Sequence, residues 1–238
     1  MAGPVKTEAV VLRSIRYGEA DRILHLYTVD RGRLSAIAKG SRRARSRFGG
    51  RLEPFFRVRL DLHEGRSELL TVTGAETVSP YASLRADADA IATAALGCDA
   101  VSRLFDSSEP HPEVFNLLCT FLAVIDEDPK LAGPAIQVAF RLKLLLAAGL
   151  APQLSQCARC GATEDIVGFA PAAGGVVCSA CEAGSFPLDE ESHRFLVVAL
   201  GTPLAELPEP APTALVAATR AVQETAEHHA HVRLRPAA

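Results

Sequence analysis

Phe56-Arg57-Val58-Arg59-Leu60-Asp61-Leu62 alternates apolar and charged residues with a period of two. Successive side chains of a strand point to opposite faces, so this stretch reads as a strand with one buried and one charged face. Working outward, residues 52–63 form the whole run, and residues 7–14, 23–30, 32–39 and 68–77 share its character: short, rich in Val, Ile, Leu, Thr or aromatics, and separated by polar or glycine-containing breaks. Asp30-Arg31-Gly32-Arg33 supplies the tight-turn chemistry of a hairpin between two of them.

Five strands with one long loop in the first 80 residues predict a small closed barrel, which removes exposed sheet edges. The expected type is the oligonucleotide-binding barrel, although an SH3-like barrel would read almost the same. After Ser79-Pro80 the period changes to that of helices. Leu84, Ile91, Ala95, Cys98, Val101, Leu104 and Phe105 recur at three- and four-residue steps, as do Val114, Leu117, Leu118, Phe121, Leu122 and Ile125. Further helices are expected at 134–146, with Gly149 as its stop, at about 190–200 behind Asp189-Glu190-Glu191, and at 212–229. The fold class is therefore α+β, with a barrel domain over residues 1–80 and a helical domain over 81–238.

Within the helical part, residues 157–181 lack periodicity and carry Cys157-Ala158-Arg159-Cys160-Gly161 and, farther on, Cys178-Ser179-Ala180-Cys181. Two such pairs fit a four-thiolate zinc site, each CxxC turning both sulfurs toward one ion. Four protein ligands leave no position for water, so the metal is expected to be structural Zn(2+). Paired disulfides, a redox dithiol and iron-sulfur ligation are the competing readings; the first two fit poorly with reduced cytosolic thiols, the last with the spacing. Cys98 and Cys119 read as core residues.

The net charge is -3, but residues 1–80 hold 15 Lys and Arg against 9 Asp and Glu, and the remainder holds 10 against 19. The positive charge is densest between Lys39 and Arg51, where Lys39, Arg42, Arg43, Arg45, Arg47 and Arg51 stand without an acidic neighbour. A flexible loop bracketed by Gly40, Gly49 and Gly50 is expected to neutralise phosphates of a nucleic-acid backbone, with Phe48 offering a ring for a base and Arg57 and Arg59 adding charge. A solvated charged loop is the bland alternative. No P-loop, dinucleotide fingerprint or nucleophile elbow is present, so the chain is expected not to be an enzyme and to take no small-molecule substrate. With neither a membrane-spanning run nor a leader pattern in the sequence, a cytoplasmic protein without membrane contact is expected.

The N-terminal series Ala20-Asp21-Arg22-Ile23, Leu34-Ser35-Ala36-Ile37-Ala38-Lys39-Gly40, Ser46-Arg47-Phe48-Gly49-Gly50 and Leu52-Glu53-Pro54-Phe55 resembles that of RecO proteins. Phe140-Arg141-Leu142-Lys143, Gly149-Leu150-Ala151-Pro152, the cysteine pairs and Gly168-Phe169 follow in the same family's order. The resemblance implies an oligonucleotide-binding barrel, a helical domain with a zinc-binding insertion, and a role in DNA repair and recombination. By that likeness the protein would bind single- and double-stranded DNA, anneal complementary strands and, with RecR, help RecA displace single-strand DNA-binding protein, at the nucleoid during repair. Arg141 and Lys143, cations on an apolar helix, are candidates for holding the acidic tail of the single-strand DNA-binding protein; a snorkelling pair on a core helix is the alternative. A zinc-stapled adaptor in transcription or RNA metabolism is the other functional class, and strand annealing separates the two.

Overall fold

The computed structural model describes residues 4–65 and 69–236. Strands β1 (Pro4–Tyr17), β2 (Asp21–Thr28), β3 (Gly32–Ala38), β4 (Arg57–His63) and β5 (Leu70–Ser79) close into a barrel in the order β1-β2-β3-β5-β4. The five expected strands are all present. The fourth begins at Arg57 because residues before it are consumed in turns, and Glu68 at the expected start of the fifth lies outside the described residues. Neighbours are antiparallel except β3 and β5, which meet in parallel through Ala36↔Leu70 and Ile37↔Thr71.

In β4, Val58, Leu60 and Leu62 point into the barrel beside Leu24, Leu26, Ala36 and Val72, as the period-two pattern requires. Strand β1 changes phase. Its odd-numbered Val5, Ala9 and Val11 lie in the core, but a bulge between Val11 and Arg13 shifts the register, so that Arg13, Ile15 and Tyr17 pair with the outward-facing His25, Ile23 and Asp21.

Helices α1 (Ala88–Leu104) and α2 (Pro112–Glu127) follow. Asp87 caps α1 by accepting from the Ala90 N–H at 2.9 Å. The buried face of α1 is Ala90, Ala94, Gly97, Cys98 and Val101, whereas Ile91 and Ala95 are exposed. This corrects the face read from sequence: Gly97 packs so close to the Phe121 ring that a Cβ there would lie 2.3 Å from it, and this contact turns the small side of α1 inward. In α2 the expected Val114, Leu118, Phe121, Leu122 and Ile125 are buried.

The chain divides into compact units between Pro129 and Lys130. Thus α1 and α2 belong with the barrel, joined to it by contacts such as the edge-on Tyr27 and Phe105 rings; the change at Pro80 marks a switch of secondary structure, not the limit of a compact unit.

In the second unit, α3 (Pro134–Ala147) is buried over most of its surface. Gly149 ends it at φ 72°, a left-handed value that favours glycine. Strands β6 (Ile166–Ala170), β7 (Gly175–Cys178) and β8 (Phe186–Pro187) form a small sheet in the order β7-β6-β8. Helices α4 (Glu190–Gly201), capped by Asp189, and α5 (Pro212–His229) complete the unit. Among the described residues no helix is long and apolar enough to cross a membrane.

Candidate nucleic-acid interface and metal centre

The segment between β3 and β4 is not the glycine-hinged flexible loop expected. Consecutive backbone bonds, Arg43 N–H to Gly40, Ser46 to Arg43, Gly49 to Ser46 and Arg51 to Phe48, wind it into a series of turns. Phe48, 1% exposed, and Leu52 anchor it inside the barrel core. Phe48 therefore offers no face to a base, and its role as a stacking platform is corrected: burying the ring is what fixes the loop's shape, and the Arg47 guanidinium lies over it at 4.8 Å.

With the aromatic turned inward, the cations turn outward. Lys39, Arg42, Arg43, Arg45, Arg47 and Arg51 are all exposed, and among the described residues none forms a salt bridge. Arg47 donates to the Val72 carbonyl at 3.2 Å and Arg51 to that of Phe48 at 3.1 Å, neutral acceptors that orient the guanidinium and leave its charge uncompensated. Arg42 donates to the Gly18 and Glu19 carbonyls, while Gly40 N–H reaches the Asp21 carboxylate at 2.7 Å. These bonds stitch the start of the loop to the β1–β2 turn.

Arg57 and Arg59 do not join this set. Arg57 is hydrogen-bonded to Glu8 and lies over the Phe115 ring; Arg59 pairs with Glu76 at 3.0 Å. Their charges are already met by carboxylates, which weakens them as phosphate ligands. Residues 81–129 of the same unit hold two basic and nine acidic residues, so cationic loop and acidic helices give that unit opposite charge in its two parts. Tyr17 was passed over in the sequence. It is 53% exposed at the turn to which the loop is stitched, and the β1 bulge, invisible in the residue pattern, determines the face it takes.

In the second unit the four cysteines converge. Their sulfurs all lie within 4.8 Å of one another, with Cys160 Sγ 3.7 Å from Cys178 Sγ, and none is disulfide-bonded. A tetrahedron of metal–sulfur bonds of about 2.3 Å has edges of about 3.8 Å, so the cage has the size and the soft donors for a zinc-like ion. Cys157 N–H donates to Ala162 and Gly161 N–H returns to Cys157, at 2.7 and 2.9 Å, closing the first knuckle; Gly161 takes φ 80° there. Arg159 reaches across to the Cys181 carbonyl at 2.9 Å and ties the knuckles together.

Donation from the Cys178 backbone and other N–H groups lowers the Cys157 thiol to about 6, whereas the crowding of Cys160 and its neighbours pushes Cys181 up to about 12 and burial raises Cys178. One thiolate forms readily, and the others need a cation to replace their protons. Cys98 and Cys119 are buried away from this cage, their thiols raised by desolvation.

Arg141 is 3% exposed within α3, which corrects its reading as a tail receptor: a side chain enclosed by its own unit cannot meet an incoming peptide. Lys143 donates to the Leu200 carbonyl at 2.8 Å, where its charge compensates the C-terminal end of α4, and burial lowers its pKa. Of the histidines near the C-terminus, His229 bonds the Pro171 carbonyl at 2.8 Å.

Barrel, cationic turn segment and four-thiol ribbon on a helical unit define a class: a two-unit α+β protein built to hold one metal ion and to present one cationic edge. Residues 1–81 match the family described as Recombination protein O N terminal, and residues 85–235 match Recombination protein O C terminal. The chain belongs to the RecO family. It is similar to the DNA repair protein RecO of Anaeromyxobacter sp. (strain K), 39% identical over 238 residues that cover 97% of this chain and 93% of the relative. The protein of the same name from Rubrobacter xylanophilus is 42% identical over 209 residues, covering 84% and 82%. That of Geobacter sulfurreducens is 36% identical over 203 residues, with the same coverage.

Proposed function

We propose that this chain acts in DNA repair and recombination as a mediator that binds single- and double-stranded DNA, anneals complementary strands and, with RecR, assists RecA on DNA coated by single-strand DNA-binding protein. The observation that carries the reading is the row of six exposed loop cations held by neutral acceptors, on a chain whose relatives are named for DNA repair. The barrel is read as the oligonucleotide-binding type, supported by its order and its single parallel pair.

Each loop cation neutralises phosphate charge and releases condensed counterions, which lowers the repulsion between two approaching strands. Base pairing supplies the sequence check, and no bond is broken. The four cysteines hold one structural zinc ion, which orders a segment with few apolar side chains of its own. The acidic, apolar-ended tail of the single-strand DNA-binding protein is assigned to a cleft of about 570 Å³ beside Lys130, lined by Leu131, Ile136, Leu204 and Leu207.

The test is annealing of complementary oligonucleotides with and without single-strand DNA-binding protein across a salt series. Annealing that persists on the coated strands and weakens with salt supports the reading. A protein that ignores both oligonucleotides in dilute buffer refutes it.

A further inference from the structure

The outward face of β1-β2-β3 carries three cross-strand rungs. Arg13, His25 and Ser35 form one, Ile15, Ile23 and Ile37 the next, and Tyr17 with Asp21 the last, beside Lys39. Leu24, Ala36 and Ala38, which alternate with these residues, fill the barrel, so the rungs face away from it. Helix α1 covers this side only at the far end of β2, where Tyr27 lies buried against Phe105; the three isoleucines are only half-buried and Tyr17 is exposed. The face is thus apolar in its middle rung, aromatic at its edge, and flanked by the exposed cations Arg13, Lys39 and Arg42, the last bonded to the turn that follows Tyr17.

We infer that this face receives the unpaired bases of a single strand, with Tyr17 as the stacking group that Phe48 is too deeply buried to be. The inference rests on the reading of the barrel as a DNA-binding module and adds to it a discrimination between strand types. A surface that is apolar across its width and positive at its margins complements a polymer whose bases are flat and apolar and whose backbone is anionic. In a duplex the base faces are already stacked on one another, so only an unpaired strand can offer them. The loop cations, by contrast, meet phosphates that both forms of DNA display. The two surfaces therefore divide the labour: the turn segment sets general, salt-dependent affinity, and the Tyr17 face adds a preference for unpaired DNA.

The molecule carries its own reporter. It has three tyrosines and no tryptophan, and Tyr27 and Tyr81 are buried, so the solvent-exposed tyrosine emission belongs to Tyr17. Oligothymidine should quench that emission, and a blunt duplex of equal length should not. In anisotropy titrations of the full chain, Tyr17→Ala should weaken oligothymidine binding roughly tenfold while holding duplex affinity within about twofold. The salt dependence should stay unchanged because no cation is lost. Tyr17→Phe keeps the ring and should keep the affinity.

Equal loss on both polymers, or no loss in a folded Tyr17→Ala variant, overturns the inference while leaving the proposed function intact. A wild-type protein that binds neither polymer refutes that function first. Self-association that depends on Tyr17 in place of DNA affinity would give the face to a second copy of the chain, and would likewise overturn the inference.

Discussion

Neutralising Lys39, Arg43 and Arg45 together, each to Gln, isolates the electrostatic role of the loop. Among the described residues these three side chains make no hydrogen bond or ion pair, so their loss leaves the turn bonds, the Phe48 anchor and the Arg42 link to the β1–β2 turn in place. With all six loop cations engaged, single-strand affinity should fall with salt at a log-log slope of about -4, from about 0.7 per phosphate contact. Raising salt from about 50 to about 200 mM then costs the wild type about 300-fold in affinity. With three contacts left the slope becomes about -2 and the same change costs about 20-fold. Fluorescence anisotropy with a labelled oligonucleotide at four or more salt concentrations measures both slopes, and circular dichroism checks the fold. A triple variant whose slope matches the wild type refutes the assignment of these cations to phosphates. Reversal of Arg42 is a less clean perturbation, because its guanidinium also holds the turn at Gly18 and Glu19.

Metal analysis of freshly reduced protein should return one zinc ion per chain, and chelation should lower the melting temperature of the second unit. Zinc uptake should release protons, since the Cys178 and Cys181 thiols are raised and hold theirs in the metal-free cage, so affinity should fall as the pH is lowered; an indicator dye reads both effects. Phe48→Ala should cost about 3 to 5 kcal/mol in urea unfolding, the loss expected of a core ring. Asp189→Ala should cost about 1 kcal/mol by removing the cap on Ser192 N–H. Because that bond holds the Asp189 carboxyl below its ordinary pKa of about 3.9, its contribution is complete above that pH and disappears as acid protonates it, so wild type and variant should converge there.

The strands were legible because their alternation is set by burial on one side, as Val58, Leu60 and Leu62 show. The cysteine cage was legible because spacing alone constrains where two CxxC turns can aim their sulfurs. What could not be read was direction. A ring within a basic run can point either way, and Phe48 points inward; a cation on an apolar helix can snorkel or be enclosed, and Arg141 is enclosed. In α1 the alanines made both faces look alike, and only the fit of Gly97 under Phe121 chose between them. Tyr17 was hidden because one extra residue in β1 reverses which side its later residues occupy.

The parallel join between β3 and β5 rests on two residue pairs, while the hairpins on either side of it are zipped along their length. It links segments distant in the chain, so it carries the loop-closure entropy that local hairpins avoid and should be the last seam to form and the first to breathe. Amide hydrogens at Ile37 and Thr71 should then exchange through small openings long before the hairpins do. Because Lys39 follows directly on β3, each such opening loosens the cationic edge at its root without unfolding the sheet that carries it.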